Sequence, residues 1–429
     1  MGRVYAGGGR SVVDHFHKMT NIALKDRETI LTKVSRLVEK KHFNPGLNGA
    51  NWPELVARQK AKILEADTVE RLEAAIQDLL AELKTSHTGI FHKSFRKIPA
   101  RFAINATFQR CPVNGSTRWM FQDVHEGGAA HAAGLQPGDI LLELDGKGIV
   151  PPEPPVFKLG QSAVAAIERL TGERVSVPLE VPAPKSKKRP INQPRPVSWS
   201  KLPEGIGLLK ITMFPGAVGI DLARDVDRAI ADLRTCSRLI VDLRGNTGGG
   251  IGGLRLMSYL TPDKRPVGYS LTKKRAAKGY RREELARFGK IPSHKAALLG
   301  LLLRYAFVDK SIAVVTEGLG PQPFHGRVIL LVNQHSASAA EMVAAFAREN
   351  GLATIVGTKT AGRLLSGGMF KVGHGFVLGL PVAAYLTWEG NLLEGKGIEP
   401  EHIVELTYEA LREGRDVQME HAIEVARQF

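Results

Sequence analysis

The chain reads as an α/β protein, and three features of its patterning say so. Between about 205 and 358, apolar strand-like runs alternate with amphipathic helical ones, the order expected of a parallel, crossover-connected sheet. Before that, from about 11 to 88, apolar residues recur at i, i+3, i+4 and i+7, the spacing of helices. From about 96 the period shortens and turn residues split the chain into short β-rich pieces. At 429 residues there is room for two or three domains, each with its own core. The boundaries fall at 1–95 (helical), 96–185 (β-rich) and 186–429 (α/β).

Each element has a local reason. VVDHFHKMTNIAL, RETILTKVSRLVEKKHF and TVERLEAAIQDLLAELKTSH carry the helical spacing. NPGLNGANWPE separates them as a loop, with Asn48 or Asn51 placed to cap the next helix. FAINATF, STRWMFQDV and DILLELDG read as strands. Proline crowds 150–200 (PPEPP, VPAPK, RPINQPRP), which disfavours regular structure and marks a boundary. Beyond it, GIGLLKITMF, RLIVDLRG, RVILLVN and ATIVGT are strands, LARDVDRAIADLRT and ASAAEMVAAFAREN are helices, and the C-terminal segment is helical. No internal repeat is evident.

Composition excludes several classes. No run of about 18 apolar residues exists, so no transmembrane helix is expected. The first residues lack an apolar signal core. As written the chain reads as cytoplasmic, and a removed signal would make it periplasmic or secreted. Two cysteines, Cys111 and Cys236, make no disulfide framework and read as buried thiols. The net charge of +16 is partly concentrated in PKSKKRPINQPRP (184–196) and KKRAAKGYRR (273–282). Neither interleaves aromatic with basic residues as single-strand binders do, so nucleic acid is not the expected partner. Attraction to acidic polypeptides, or solubility alone, accounts for the charge. HExxH and paired-Cys signatures are missing, and neither metal nor organic cofactor is expected.

Two segments invite chemistry. In VNQHSASAAE (332–341), Ser338 stands where a buried strand hands over to a helix. With Glu341 three residues later it fits a capping box. A hydroxyl there also sits among free amides and the positive helix end, where an oxyanion is stabilised. In LIVDLRGNTGGG (239–250), a buried strand runs into three consecutive glycines, whose backbone freedom lets N–H groups face a ligand. Without a following Gly-Lys-Ser/Thr it is no phosphate loop. Asp242 and Arg244 read first as an ion pair bracing that turn.

AAHAAGLQPGDILLELDGK (129–147) resembles the strand–turn–helix segment of PDZ domains, which bind chain ends or extended peptides by strand addition. Together with VDLRGNTGGG and SASAAE, it makes the chain resemble the carboxyl-terminal-processing, or tail-specific, serine peptidases over about residues 11–420. The resemblance implies a strand-rich, crotonase- or ClpP-like spiral core with a PDZ-like β domain and an N-terminal helical domain. It makes Ser338 the nucleophile and assigns the oxyanion hole to the amides of Gly248 and Ala339. The tail-processing branch has a lysine base in a turn that here reads GTKTAGR, and Arg363 stands at the lysine's position. Arginine cannot be deprotonated in a protein, so it cannot be that base. The chain resembles more closely the catalytic core of the tricorn protease, whose base is a histidine in a Ser-His-Thr segment. LKTSHTGI supplies Ser86 and His87, and LLEGKGIEP supplies Glu394, so the resemblance implies a Ser–Ser–Glu–His tetrad. Arg363 is then free to bind a substrate carboxylate or to form a salt bridge.

The expected activity is acyl-enzyme hydrolysis of peptide bonds in polypeptide or peptide substrates, with a homo-oligomer compatible with it. Two other readings remain: an inactive family member that binds a ligand or peptide, and a basic scaffold whose PDZ-like part does the work.

Overall fold

The computed structural model describes residues 21–93, 97–113, 115–183, 194–294, 296–300 and 311–429. The chain divides into two units. Of the described residues, those up to Lys84, with 88–93 and Gly368–Leu380, form the first. Thr85–His87, those from 97 to Gly367, and Pro381–Phe429 form the second.

The first unit contains the helices Leu24–Lys41, Trp52–Glu65 and Val69–Ala81. Their apolar stripes give one core: Ile30, Val34 and Val38 from the first, Trp52 and Ile63 from the second, Leu72, Ile76 and Leu79 from the third. Thr68 caps the third helix by accepting the Arg71 amide. Asn51 stands before the second helix, but its side chain donates to Glu54 rather than capping. Strand Gly89–His92 pairs antiparallel with Phe376–Gly379, and Ile90, Phe376 and Leu378 join the same core. The expected helical run before residue 21 lies outside the described residues.

The second unit is built on a six-stranded sheet in the order 197–202, 206–211, 238–242, 328–332, 354–357, 402–403. The first pair is antiparallel and the others are parallel, as the strand–helix alternation predicts. Both faces are covered, which is why its strands are continuously apolar. Leu239, Val241, Leu330 and Val332 pack on the side of helices Ile220–Leu233, Gly253–Leu260 and Ala339–Glu349. Ile240, Ile329 and Leu331 face helix Val417–Arg427. A second sheet joins Pro266–Thr272 to Ile312–Val315 and to the later half of Phe376–Thr387. No feature singled out in the sequence pointed to it. The basic stretch after Thr272 is a short helix, Lys273–Lys278, and most of the 184–196 cluster lies outside the described residues.

Residues 106–180 form an antiparallel sheet ordered 106–113, 116–124, 140–144, 162–168, 174–180. The single-turn helix Ala129–Ala132 precedes Ile140–Leu144, as the Gly-rich turn and Pro-Gly pair suggest. The proline cluster misleads in part. Val156–Lys158, Ser162–Glu168 and Arg174–Glu180 are strands inside 150–200; along Ser162–Glu168 burial alternates, with Ala163, Ala165 and Ile167 turned inward. FAINATF also divides, into the turn of helix Ala100–Ala103 and the start of strand Ala106–Val113. Both cysteines are buried and free. Among the described residues no helix is long and apolar enough to cross a membrane.

Asp242 and Arg244 do pair. Both are buried, with Arg244 Nη2 at 2.9 Å from Asp242 Oδ2. Arg244 also donates to Asp416 at 2.8 Å and to Gln418 at 3.2 Å. Asp416 caps the C-terminal helix through the Met419 amide, so one guanidinium ties that helix to the end of a central strand. Burial opposes the Asp242 charge, but Arg244 and Lys210 outweigh it and hold the carboxyl far below its usual range. Arg244→Ala leaves Asp242 buried without its main partner. The expected loss is about 3–5 kcal/mol, read as an earlier urea midpoint.

Candidate active site

Several segments of the second unit converge on one cavity of about 670 Å³. Its walls include Ser86, His87, Thr247, Ser338 and Arg363, which in sequence span more than 270 positions. Glu394 lies behind His87 and Ser86.

The histidine end is a relay with a fixed direction. Ser86 Oγ donates to Glu394 Oε2 at 2.8 Å and lies 2.7 Å from His87 Nδ1. A hydroxyl has one proton. With that proton given to Glu394, His87 Nδ1 must carry the hydrogen it shares with Ser86, and Nε2 is left as an unprotonated acceptor. Glu394 also accepts the Ser86 amide at 2.6 Å and the Leu364 amide at 3.0 Å. Burial lowers the His87 pKa below its ordinary value, Glu394 raises it, and Arg363 lowers it further; the net direction is down. The shift favours the uncharged ring. His87 has φ +58°, a left-handed backbone uncommon for a non-glycine residue.

Ser338 holds φ +56° and ψ −115° at the start of helix Ala339–Glu349. Such a conformation costs about 1–3 kcal/mol and persists where its surroundings dictate it. The surroundings are Glu341, which is fully buried. Its carboxylate accepts the Ser338 amide at 3.0 Å, the glutamate half of the capping box. It also accepts the Thr360 hydroxyl at 2.7 Å and the amides of Gly362 and Arg363 at 2.6 and 2.8 Å. Thus the sequence signal at Glu341 was legible only in part: a cap was readable, a clamp on a distant turn was not.

The glycine loop fits against this serine. Gly248 has φ +86°, and a Cβ there would lie 2.5 Å from Ser338 Cβ and 2.8 Å from the Ala339 nitrogen. Ala339 is the first residue of its helix, so its amide has no acceptor within the helix. The Gly248 amide donates to Asn246 Oδ1 at 2.8 Å, while Asn246 Nδ2 donates to the Ile211 carbonyl. Asn246 is thus part of the loop's frame, a role the sequence did not reveal.

Three further residues escaped sequence reading. Asn333 Oδ1 accepts the amides of Gly245 and His335, and its Nδ2 reaches Asp123. Arg101, buried, donates to the carbonyls of Gly245 and Thr212; burial lowers its pKa to about 10 against the pull of Asp123. His335 Nε2 donates to the Phe108 carbonyl at 2.9 Å, which holds that ring against strand Ala106–Val113. Among the described residues no group of three or more His, Cys, Asp or Glu is placed to hold a metal.

Residues 205–404 match the profile of peptidase family S41. The chain is 23% identical to a carboxyl-terminal-processing protease of Picosynechococcus sp. over 95% of this chain and 91% of that one. It is 22% identical to one from Synechocystis sp., over 94% and 88%. Its fold is similar to that of the photosystem II D1 C-terminal processing protease, with 17% identity, TM-score 0.56 and coverage of 90% and 94%. It is also similar to mature CPAF complexed with lactacystin, with 15% identity, TM-score 0.58 and coverage of 94% and 98%.

The Gly248→Ala substitution sets a methyl group against Ser338 and the Ala339 amide. At φ +86°, and with backbone atoms of Ala337 and Ala339 under 3.0 Å from that methyl, the expected result is a lower melting temperature together with lost peptide hydrolysis. Glu341→Gln puts an amide NH₂ among three N–H donors, and the expected outcome is a lower melting temperature together with lost turnover. The peptidase family S41 match over residues 205–404, with the likeness to carboxyl-terminal-processing proteases along nearly the whole chain, supports this family and a serine-type peptidase.

Proposed function

We propose that Ser338 is the nucleophile of this peptidase and that His87, Ser86 and Glu394 complete its site, as in the histidine branch of the family. The observation that carries this reading is the Glu394–Ser86–His87 relay, which leaves Nε2 free in the cavity that Ser338 also lines. His87 takes the Ser338 proton as the hydroxyl attacks a peptide carbonyl, then returns it to the leaving amine. Ser86 and Glu394 hold the imidazole in the required tautomer and stabilise its charged form. Water resolves the acyl-enzyme with His87 again as base.

The amides of Ala339 and Gly248 hold the oxyanion in this proposal. The first has no acceptor within its helix. The second must be shared with, or released from, Asn246 as the tetrahedral intermediate forms. The exposed Arg363 guanidinium lines the same cavity and is proposed to bind a substrate carboxylate. Its side chain cannot replace the lysine base of other members. Residues 96–185 act as a PDZ-like domain that captures peptide, residues 1–95 as the helical N-terminal domain, and residues 186–429 as the peptidase core. Supporting the PDZ-like assignment are the antiparallel sheet and the short helix set between its second and third strands.

Casein or peptide turnover should fall by about 10⁴-fold or more in Ser338→Ala and in His87→Ala, with both variants folded. Turnover that survives His87→Ala, or a gain in Arg363→Lys, removes the histidine from the role of base.

Because the His87 pKa is lowered, the acid limb of kcat/KM lies below the ordinary imidazole value of about 6.5. Arg363→Gln removes a cation that favours the neutral ring, so the same limb moves to higher pH. A pH–rate profile of the two enzymes reads the shift directly. Equal turnover of free-acid and amidated peptides by Arg363→Gln and by wild type removes carboxylate binding from that arginine.

A further inference from the structure

The catalytic cavity has two unlike halves. Ser86, His87, Ser338 and Arg363 give one half its polar groups. The other half comes from the β module between 97 and 183: Phe102, Phe108, Trp119, Pro154 and Pro155. We infer that this module does more than carry a peptide: its aromatic wall, with Trp119 at its centre, selects the substrate side chain on the acyl side of the cleaved bond. The inference rests on the peptidase reading above, and it names large apolar or aromatic side chains as the favoured class.

Three observations support it. The first is rigidity. Trp119 Nε1 donates to the Glu153 carbonyl at 2.7 Å, which fixes the indole to the residue before Pro154 and Pro155. Phe108 meets Trp119 edge-on at 6.4 Å and Phe121 at 4.4 Å between ring centres. Strand Val156–Lys158 pairs with Lys97–Pro99, holding the proline loop from behind. Prolines and packed rings lose little conformational freedom when a ligand arrives, which suits a recognition wall.

The second is registry with the reacting groups. The Phe108 carbonyl accepts from His335, three residues before Ser338. Arg101, next to Phe102, donates to the Gly245 carbonyl at 2.8 Å, at the start of the glycine loop. The wall is therefore anchored to both the serine segment and the oxyanion loop, so a side chain resting on it presents its own carbonyl at a fixed place. The third is capacity. About 670 Å³ is in the range of pockets that enclose a small ligand, and an aromatic side chain gains most from such a site by burying 150–250 Å², values that are about right for Phe, Tyr and Trp generally.

The test uses the full chain and quenched fluorescent peptides that differ only in the residue before the cleaved bond: Phe, Leu, Ala or Asp. For wild type, kcat/KM for the Phe and Leu peptides should exceed that for Ala by about tenfold or more. Trp119→Ala should lower kcat/KM for the Phe peptide by about 10–100-fold while the Ala peptide stays within about threefold. Trp119→Phe keeps an aromatic face and should retain most of the preference. If Trp119→Ala fails to fold, Phe102→Ala carries the same comparison.

Equal losses across all four peptides, or an unchanged preference, overturn the inference and leave the wall a packing feature. Ser338→Ala is run on the same set. Turnover surviving there strikes at the nucleophile itself and is thereby distinguishable from failure of the wall.

Discussion

Two carboxyl groups, Glu341 buried and Glu394 half-buried, grip the two ends of one short turn, and the proposed site depends on that grip. Glu341 takes the amides of Gly362 and Arg363 and the hydroxyl of Thr360, and it also takes the amide of Ser338. Glu394 takes the amide of Leu364, and it also takes the amide and hydroxyl of Ser86. The turn between them is pinned further by Ser336 and Ile398. A hydroxyl on one side and an imidazole on the other are thus referred to the same five residues. The energetic logic is that of a buried anion: it is tolerable only where several donors converge on it, and the donors are then held as firmly as the anion.

This frame explains where backbone strain is found. Ser338 and His87, the proposed nucleophile and base, both have positive φ without being glycine. Each is held there by a glutamate-centred network rather than by local preference. The glycine loop supplies the matching surface. At Gly248 and Gly249 any side chain would collide, with Ser338 at the first and with the Phe214 carbonyl at the second. Only glycine allows such a close approach of backbone to its neighbours at these points.

Arginine appears in three distinct jobs. Arg244 is wholly structural, joining Asp242 to the C-terminal helix. Arg101 threads from the β module into the loop that starts at Gly245. Arg363 stays exposed at the cavity and acts on His87 through its charge. The planar, permanently charged guanidinium suits all three, since it reaches several acceptors or holds its charge where a lysine would be a single point.

The sequence by itself determined the elements whose causes are local. Apolar runs such as VILLV and RLIVD read as buried strands, the 3.6 spacing in TVERLEAAIQDLLA as a helix, and Asp242 beside Arg244 first as an ion pair, and the structure has each of them. Ser338, His87, Ser86, Glu394 and Gly248 were singled out because their short motifs resemble a known pattern. Only the tertiary structure decided what depends on distant partners: the second use of Glu341, the hold of Asn246 on the Gly248 amide, the insertion of Arg101, and the aromatic wall from the β module. No periodicity encodes these, because a hydrogen bond or ring contact between residues tens to hundreds of positions apart leaves no mark on the spacing of either segment. The strands hidden among prolines at 156–180 make the same point in reverse: Ser162–Glu168 and Arg174–Glu180 pair with each other, and the first of them also adds to Ile140–Leu144, an edge that the proline count does not register.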